Sequence, residues 1–176
     1  QSWLVLALTI VAGITLPFTT DGAGFDGTGT GVIFALLVGA VAIDGVRLGV
    51  TFKAALLFIA AHVTAWLLIS GIAGQEGTAG MSFFLALTAA WLLAWRCVTL
   101  LSSIRARRGA VDAFLRILIP AIFGAWILIL WEAIVRGAGI PFILLPPPAA
   151  VGQRLINSLP ALGSDIRQTI FKSVLV

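Results

Sequence analysis

Charge is what this sequence has least of. Only 10% of its 176 residues are Asp, Glu, Lys or Arg, against about a quarter in an ordinary soluble domain. A water-soluble fold of this composition would expose far more apolar surface than such folds tolerate. No Lys/Arg-rich stripe with interleaved aromatics is present, so no nucleic-acid partner is expected. The single cysteine, Cys97, lies in an apolar run and can form no intrachain disulfide; it reads as a small core residue. The single histidine, His62, is too few for the axial ligands of a cofactor platform. No nucleophile–base pair, phosphate loop or metal cluster occurs, so no catalytic, cofactor-binding or metal-binding residue is assigned and no enzyme is expected.

What the sequence has is hydrocarbon. Sixty per cent of the chain is hydrophobic and mean hydropathy is +1.13. A membrane span needs about 20 apolar residues, and there is room for about five. Apolar runs cover residues 2–17, 32–45, 54–73, 81–101 and 117–135. Between them lie turn-rich segments, of which residues 21–31, dense in glycine, threonine and aspartate, read as a flexible loop. The expectation is an all-α integral membrane protein, with a four-span region at 1–104 and a second region at 105–176. The first run carries neither the basic flank nor the cleavage site of a signal peptide. The chain opens at Gln1 and stops in mid-pattern, and so reads as a segment of a longer protein.

Loop charge alternates. The stretches around Arg47/Lys53 and Arg105/Arg107/Arg108/Arg116 are basic, whereas those around Asp21/Asp26 and Glu76 contain no Lys or Arg. The positive-inside rule then places the N-terminus in the cytoplasm and the segment after the fifth span outside. Beyond that span, the prolines at 146–148 predict extended external chain over 141–148. Residues 149–162 show a helical period, with Val151, Leu155 and Leu159 on one face and Gln153, Arg154 and Asn157 off it, which predicts an external amphipathic helix at the membrane surface. Gly163-Ser164-Asp165 reads as a break and N-cap, with a new helix from Ile166.

Trp131-Glu132 near a span end, Gly139-Ile140-Pro141, and Leu145-Pro146-Pro147-Pro148-Ala149-Ala150-Val151 before an amphipathic helix leading to Ser173-Val174-Leu175 form a pattern. Over residues 108–176 it resembles permease subunits of ABC importers of the nitrate/sulfonate/taurine type. Pro147 stands where that family usually has serine, and the family's transport core would lie downstream of Val176. The resemblance implies the N-terminal part of a multi-pass permease for small anionic solutes in a bacterial inner membrane. Its implied partners are membrane lipid, another permease half, cytoplasmic ATPase subunits and an external solute-binding protein. The alternative is a non-catalytic accessory subunit of a larger membrane complex, respiratory or photosynthetic, in contact with other membrane subunits.

Five polar side chains fall within or at the edges of the spans: Asp44, His62, Arg96, Glu132 and Arg136. An ionisable group at membrane depth is costly and is by default a functional hypothesis. His62, mid-span, has no second histidine or mid-span carboxylate with which to relay protons; it is also read as a packed residue bonded to a helix neighbour such as Thr64, or to a threonine across an interface. Asp44 and Arg96 share an estimated depth and can pair. Equally, Arg96 can snorkel to the headgroups while Asp44 pairs with Arg47. Glu132 and Arg136 have the spacing of a helical ion pair. Trp91, Trp95, Trp126 and Trp131 are belt anchors or packing residues, and Gly45-x-x-x-Gly49 fits small-residue helix packing.

The orientation can be tested by cysteine labelling in a Cys97→Ala background. A membrane-impermeant maleimide added to intact cells is expected to label Thr28→Cys and to spare Ala106→Cys. The opposite pattern would invert the topology.

Overall fold

In hydrocarbon every backbone N–H and C=O must find its partner within the protein, which selects helices for runs of this kind. The computed structural model, which describes residues 2–20, 22, 24–104 and 109–168, contains six helices: α1 (Ser2–Ile14), α2 (Gly27–Gly45), α3 (Val50–Gly71), α4 (Met81–Ser102), α5 (Ala110–Gly137) and α6 (Pro148–Gln168). Four of them, α2 to α5, are long and apolar enough to cross a membrane. At 1.5 Å per residue they run from about 28 to 42 Å, against a hydrocarbon layer of roughly 30 Å. The protein is a multi-pass, membrane-embedded helical bundle. The first apolar run forms a helix of only 13 residues, about 20 Å long. It stops at Ile14 because Pro17 drives the residue before it out of the helical region.

Three helices begin earlier than their hydropathy suggests, α3 by four residues and α2 and α5 by more. α2 starts at Gly27, so the glycines and threonines of 27–31 are its first turns and not part of a flexible loop. Asp26 makes this possible: its side chain accepts from the Gly29 backbone N–H at 2.6 Å and caps the helix, offsetting the poor helix propensity of glycine. α5 starts at Ala110, seven residues ahead of its apolar run. Its extra turns carry the Asp112–Arg116 pair at 2.9 Å, four residues apart.

The described residues fall into two compact units that divide after Ile140. In the first, α3 and α4 form the central pair, flanked by α1, α2 and α5. Ala54, Ala60, Ala61 and Ala65 of α3, with Ala86, Ala89, Ala90 and Ala94 of α4, are all buried. Such small side chains let helix backbones approach closely, the usual source of packing energy where lipid removes the hydrophobic drive. The Gly45/Gly49 spacing does not serve this purpose. Gly45 ends α2, Gly49 precedes α3, and an added Cβ at either would meet nothing within 4 Å.

One end of this unit is closed by main-chain bonding. The α1–α2 connection pairs with the α3–α4 connection through Thr20 N–H to Thr78 O (2.8 Å) and Gly80 N–H to Phe18 O (2.8 Å). Ser82 Oγ adds a bond to Pro17 O at 2.6 Å. Phe18, 1% exposed, stacks on Phe34 and meets Phe25 at a tilt. The α3–α4 connection also bonds the end of α5, with Gly77 N–H donating to Arg136 O at 2.8 Å. There Gly139 has φ +62°, and a Cβ on it would lie 2.7 Å from Gly77 Cα.

In the second unit, residues 141–144 form a turn, with Leu144 N–H donating to Pro141 O at 2.9 Å. Leu145 N–H donates to the same carbonyl at 3.2 Å, and Pro148 opens α6, a position where proline's missing N–H costs nothing, so the chain is not extended throughout 141–148. α6 then runs without a break to Gln168, through Pro160 and Gly163. Ser164 is not an N-cap; its Oγ donates back to Ala161 O at 2.7 Å inside the helix. The apolar stripe of Val151, Leu155 and Leu159 therefore continues through Leu162 to Ile166, all of them exposed. The rest of the helix expected from Ile166 lies outside the described residues, as do Asp21 and Arg105 to Arg108.

The Gly77–Gly139 approach can be tested by substitution. Gly139→Ala is expected to lower detergent-solubilised stability by about 2 kcal/mol, combining left-handed backbone strain with a backbone clash. Gly39→Ala, where the new methyl meets nothing within 4 Å, is expected to be neutral or mildly stabilising. Thermal unfolding of both variants checks the contrast, and equal losses would remove the special role of Gly139.

Candidate functional site

The charges gather at the two ends of the bundle. The α2–α3 connection is only four residues, so the end of α2 and the start of α3 must lie side by side. Asp44 sits in the last turn of α2, where the free carbonyls of a helix C-terminus disfavour an anion. Its carboxylate is nonetheless 6% exposed, so it needs partners. Arg96 of α4 supplies Nε at 3.2 Å from Oδ1 and 3.1 Å from Oδ2. Ser2 of α1 donates its hydroxyl to Oδ2. Lys53 of α3 lies 4.0 Å from Oδ1 and donates to the Asp44 carbonyl at 2.8 Å, filling one of the acceptors that the end of α2 leaves open.

Four helices thus meet on one carboxylate. Of the two readings open to Asp44, the structure takes the pairing with Arg96, not the local one with Arg47. Lys53 and Ser2 were not singled out by sequence. Lys53 could have been, since a short connection forces it close to Asp44; nothing in the sequence marks Ser2.

At the opposite end, Glu132 is 8% exposed and accepts from Nε of Arg136, one helical turn on. The Arg136 guanidinium also reaches Glu76 Oε1 on the α3–α4 connection, at 3.5 Å. Glu76 was read as a loop charge alone; it is the second anion of this cluster. The Arg136 carbonyl meanwhile receives Gly77 N–H, so this residue holds the connection by side chain and main chain together.

His62 belongs to neither cluster. Its Nδ1 donates to the Phe58 carbonyl one turn back, at 2.8 Å. Its ring lies on Phe58 at 3.9 Å between centroids and meets the edge of Trp126 at 5.5 Å. Thr64, the partner suggested by sequence, is not involved: its Oγ1 is buried without a hydrogen bond. The indole N–H groups of Trp126 and Trp131 are also buried and unbonded. Trp126, 3% exposed, is a packing residue, whereas Trp95 is half exposed and meets Trp91 edge to face at 6.1 Å. Cys97 is buried and its thiol donates to Ala54 O at 3.2 Å.

Chemically, these groups are joints. Among the described residues no group of three His, Cys, Asp or Glu side chains comes together, and both carboxylate clusters are already bonded to cations. Compared with protein-family models, curated proteins and solved structures, the chain has no match.

A double-mutant cycle tests the Asp44 joint. Arg96→Leu is expected to destabilise the solubilised protein by about 2 kcal/mol, less than the 3–5 typical of a fully buried pair because Lys53 remains. Adding Asp44→Asn should recover part of that loss. Strictly additive losses would show that the two side chains do not interact.

Proposed function

We propose that this chain is the N-terminal part of a permease subunit of an ABC-type importer for small anionic solutes, set in a bacterial inner membrane. In this reading α1 is a short first crossing and α2 to α5 complete five. The N-terminus is cytoplasmic and α6 lies outside. The supporting observation is the order of elements after the fifth helix. Trp131-Glu132 fall in the last turns of α5, Gly139-Ile140-Pro141 carry the chain away from it, and Pro148 opens an amphipathic helix. That succession is what the family resemblance implies. The orientation draws on charge placement. Among the described residues of α1 to α5 and their connections, Arg47, Lys53, Arg96 and Arg116 lie toward one end and Arg136 alone toward the other, which favours the first end for the cytoplasm.

The chain's own role is then non-enzymatic. ATPase subunits would supply the work, an external binding protein the solute, and the transport pathway would be built by parts of the transporter other than these helices. A second reading, an accessory subunit of a larger membrane complex, draws on the interior of the bundle. Its core is mainly alanine, leucine and isoleucine, and the buried polar residues among those described are Thr9, Thr19, Thr64, Ser82 and Glu132.

Purification of the tagged protein from native membranes in mild detergent separates the two. The permease reading expects ATP hydrolysis to co-purify and to be stimulated by the solute-binding partner. Co-purification with redox subunits and no ATP hydrolysis would replace it with the accessory reading.

A further inference from the structure

α5 is packed unevenly against the bundle: Leu115, Leu118 and Ile119 reach the core only partly buried. Its buried residues, Ile122, Trp126, Glu132, Ala133, Val135 and Gly137, all follow Pro120. Before Pro120, Val111, Phe114 and Ile117 are 59%, 61% and 73% exposed. Pro120 cannot donate to the Arg116 carbonyl and crowds the preceding turn, so the change from loose to packed falls where the helix is weakest. Between the loose half and the central pair is a cleft of about 350 Å³. Its walls include Ala55 and Phe58 of α3, Cys97 and Leu101 of α4, and Phe114 and Leu118 of α5. Among the described residues lining it, Thr51 alone carries a hydroxyl, amide or charge.

Three occupants can be weighed. Water needs two to four polar partners, which these walls do not offer. A helix from another subunit, about 10 Å across, has a cross-section near 80 Å². The cleft would hold roughly 4 Å of it, less than one 5.4 Å turn. A single hydrocarbon chain is slender enough, matches the apolar walls, and is the medium that already covers the exposed face of α5 beside the opening. We infer that this cleft takes one acyl chain of a membrane lipid, which fills the gap between the N-terminal half of α5 and the α3–α4 pair. The inference rests on the protein being membrane-embedded and not on its being a permease.

The test places a small trifluoroethyl tag on Leu118→Cys, in the cleft, or on Ile117→Cys, on the outer face, each in a Cys97→Ala background. The full chain is reconstituted in phosphatidylcholine vesicles, and fluorine NMR reads the line broadening. Phosphatidylcholine with a nitroxide on its acyl chain is expected to broaden both tags equally, and an aqueous nickel chelate neither. Filling the cleft with Ala55→Phe, or with the gentler Ala55→Met, should reduce lipid broadening at Leu118→Cys below that at Ile117→Cys, which stays unchanged and reports intact insertion. A Leu118→Cys tag untouched by labelled lipid, or broadened by nickel, would overturn the inference. So would undiminished broadening at that tag in both filled variants while Ile117→Cys is unaltered.

Discussion

The first four helices depend on one carboxylate. Asp44 is nearly inaccessible, sits at the unfavourable end of a helix, and is held by groups from α1, α3 and α4. A charge in that position cannot stay unpaired, because the penalty for burying a lone ion is several kcal/mol. The partners must therefore be brought to it, and bringing them fixes where four helices stand relative to one another. The network is not needed for its net energy; apolar replacements of similar volume often do as well. What it does is make other registers costly, since sliding α4 by one turn would remove Arg96 from Asp44, leaving Arg96 unmatched and Asp44 with Lys53 and Ser2 alone.

The opposite end is held by a different kind of force. There the connections are rich in glycine, and the bonds run between backbones: Thr20 to Thr78, Gly80 to Phe18, Gly77 to Arg136. Backbone bonding of this sort demands close approach, and the Gly77–Gly139 contact provides it. Arg136 links the two modes, with its carbonyl in the main-chain network and its guanidinium between Glu132 and Glu76. α5 is therefore fastened firmly at its C-terminal end. Its N-terminal half has neither a buried charge nor a backbone bond to hold it to the bundle among the described residues, and the apolar cleft lies there.

Two charge clusters and one packed histidine are the polar groups that a membrane reading would first examine for function. In each case the geometry gives the group a structural partner: Asp44 has Arg96, Glu132 has Arg136, and His62 has the Phe58 carbonyl with two aromatic rings. Of these, the Asp44–Arg96 pair joins two helices, whereas Glu132–Arg136 and His62–Phe58 lie within one helix, and Arg136 and His62 reach beyond it to Glu76 and Trp126.

The sequence by itself determined the class and the placement of the main helices, because hydropathy is a local property. Twenty apolar residues in a row have few alternatives in a bilayer, and α3 and α4 differ from the hydropathy reading by only a few residues. Helix ends were less legible. The start of α2 depends on whether the Asp26 side chain turns back to Gly29, and the continuity of α6 on an apolar stripe outweighing Pro160 and Gly163. Pairing across the bundle lay beyond local pattern altogether. Asp44 could be matched with Arg47 or with Arg96 on sequence grounds, and Ser2 carried no sign of its role. Only the packing of α1 to α4 chose among them, because a contact between residues 42 or 52 positions apart is decided by how helices are juxtaposed and not by what any one of them contains.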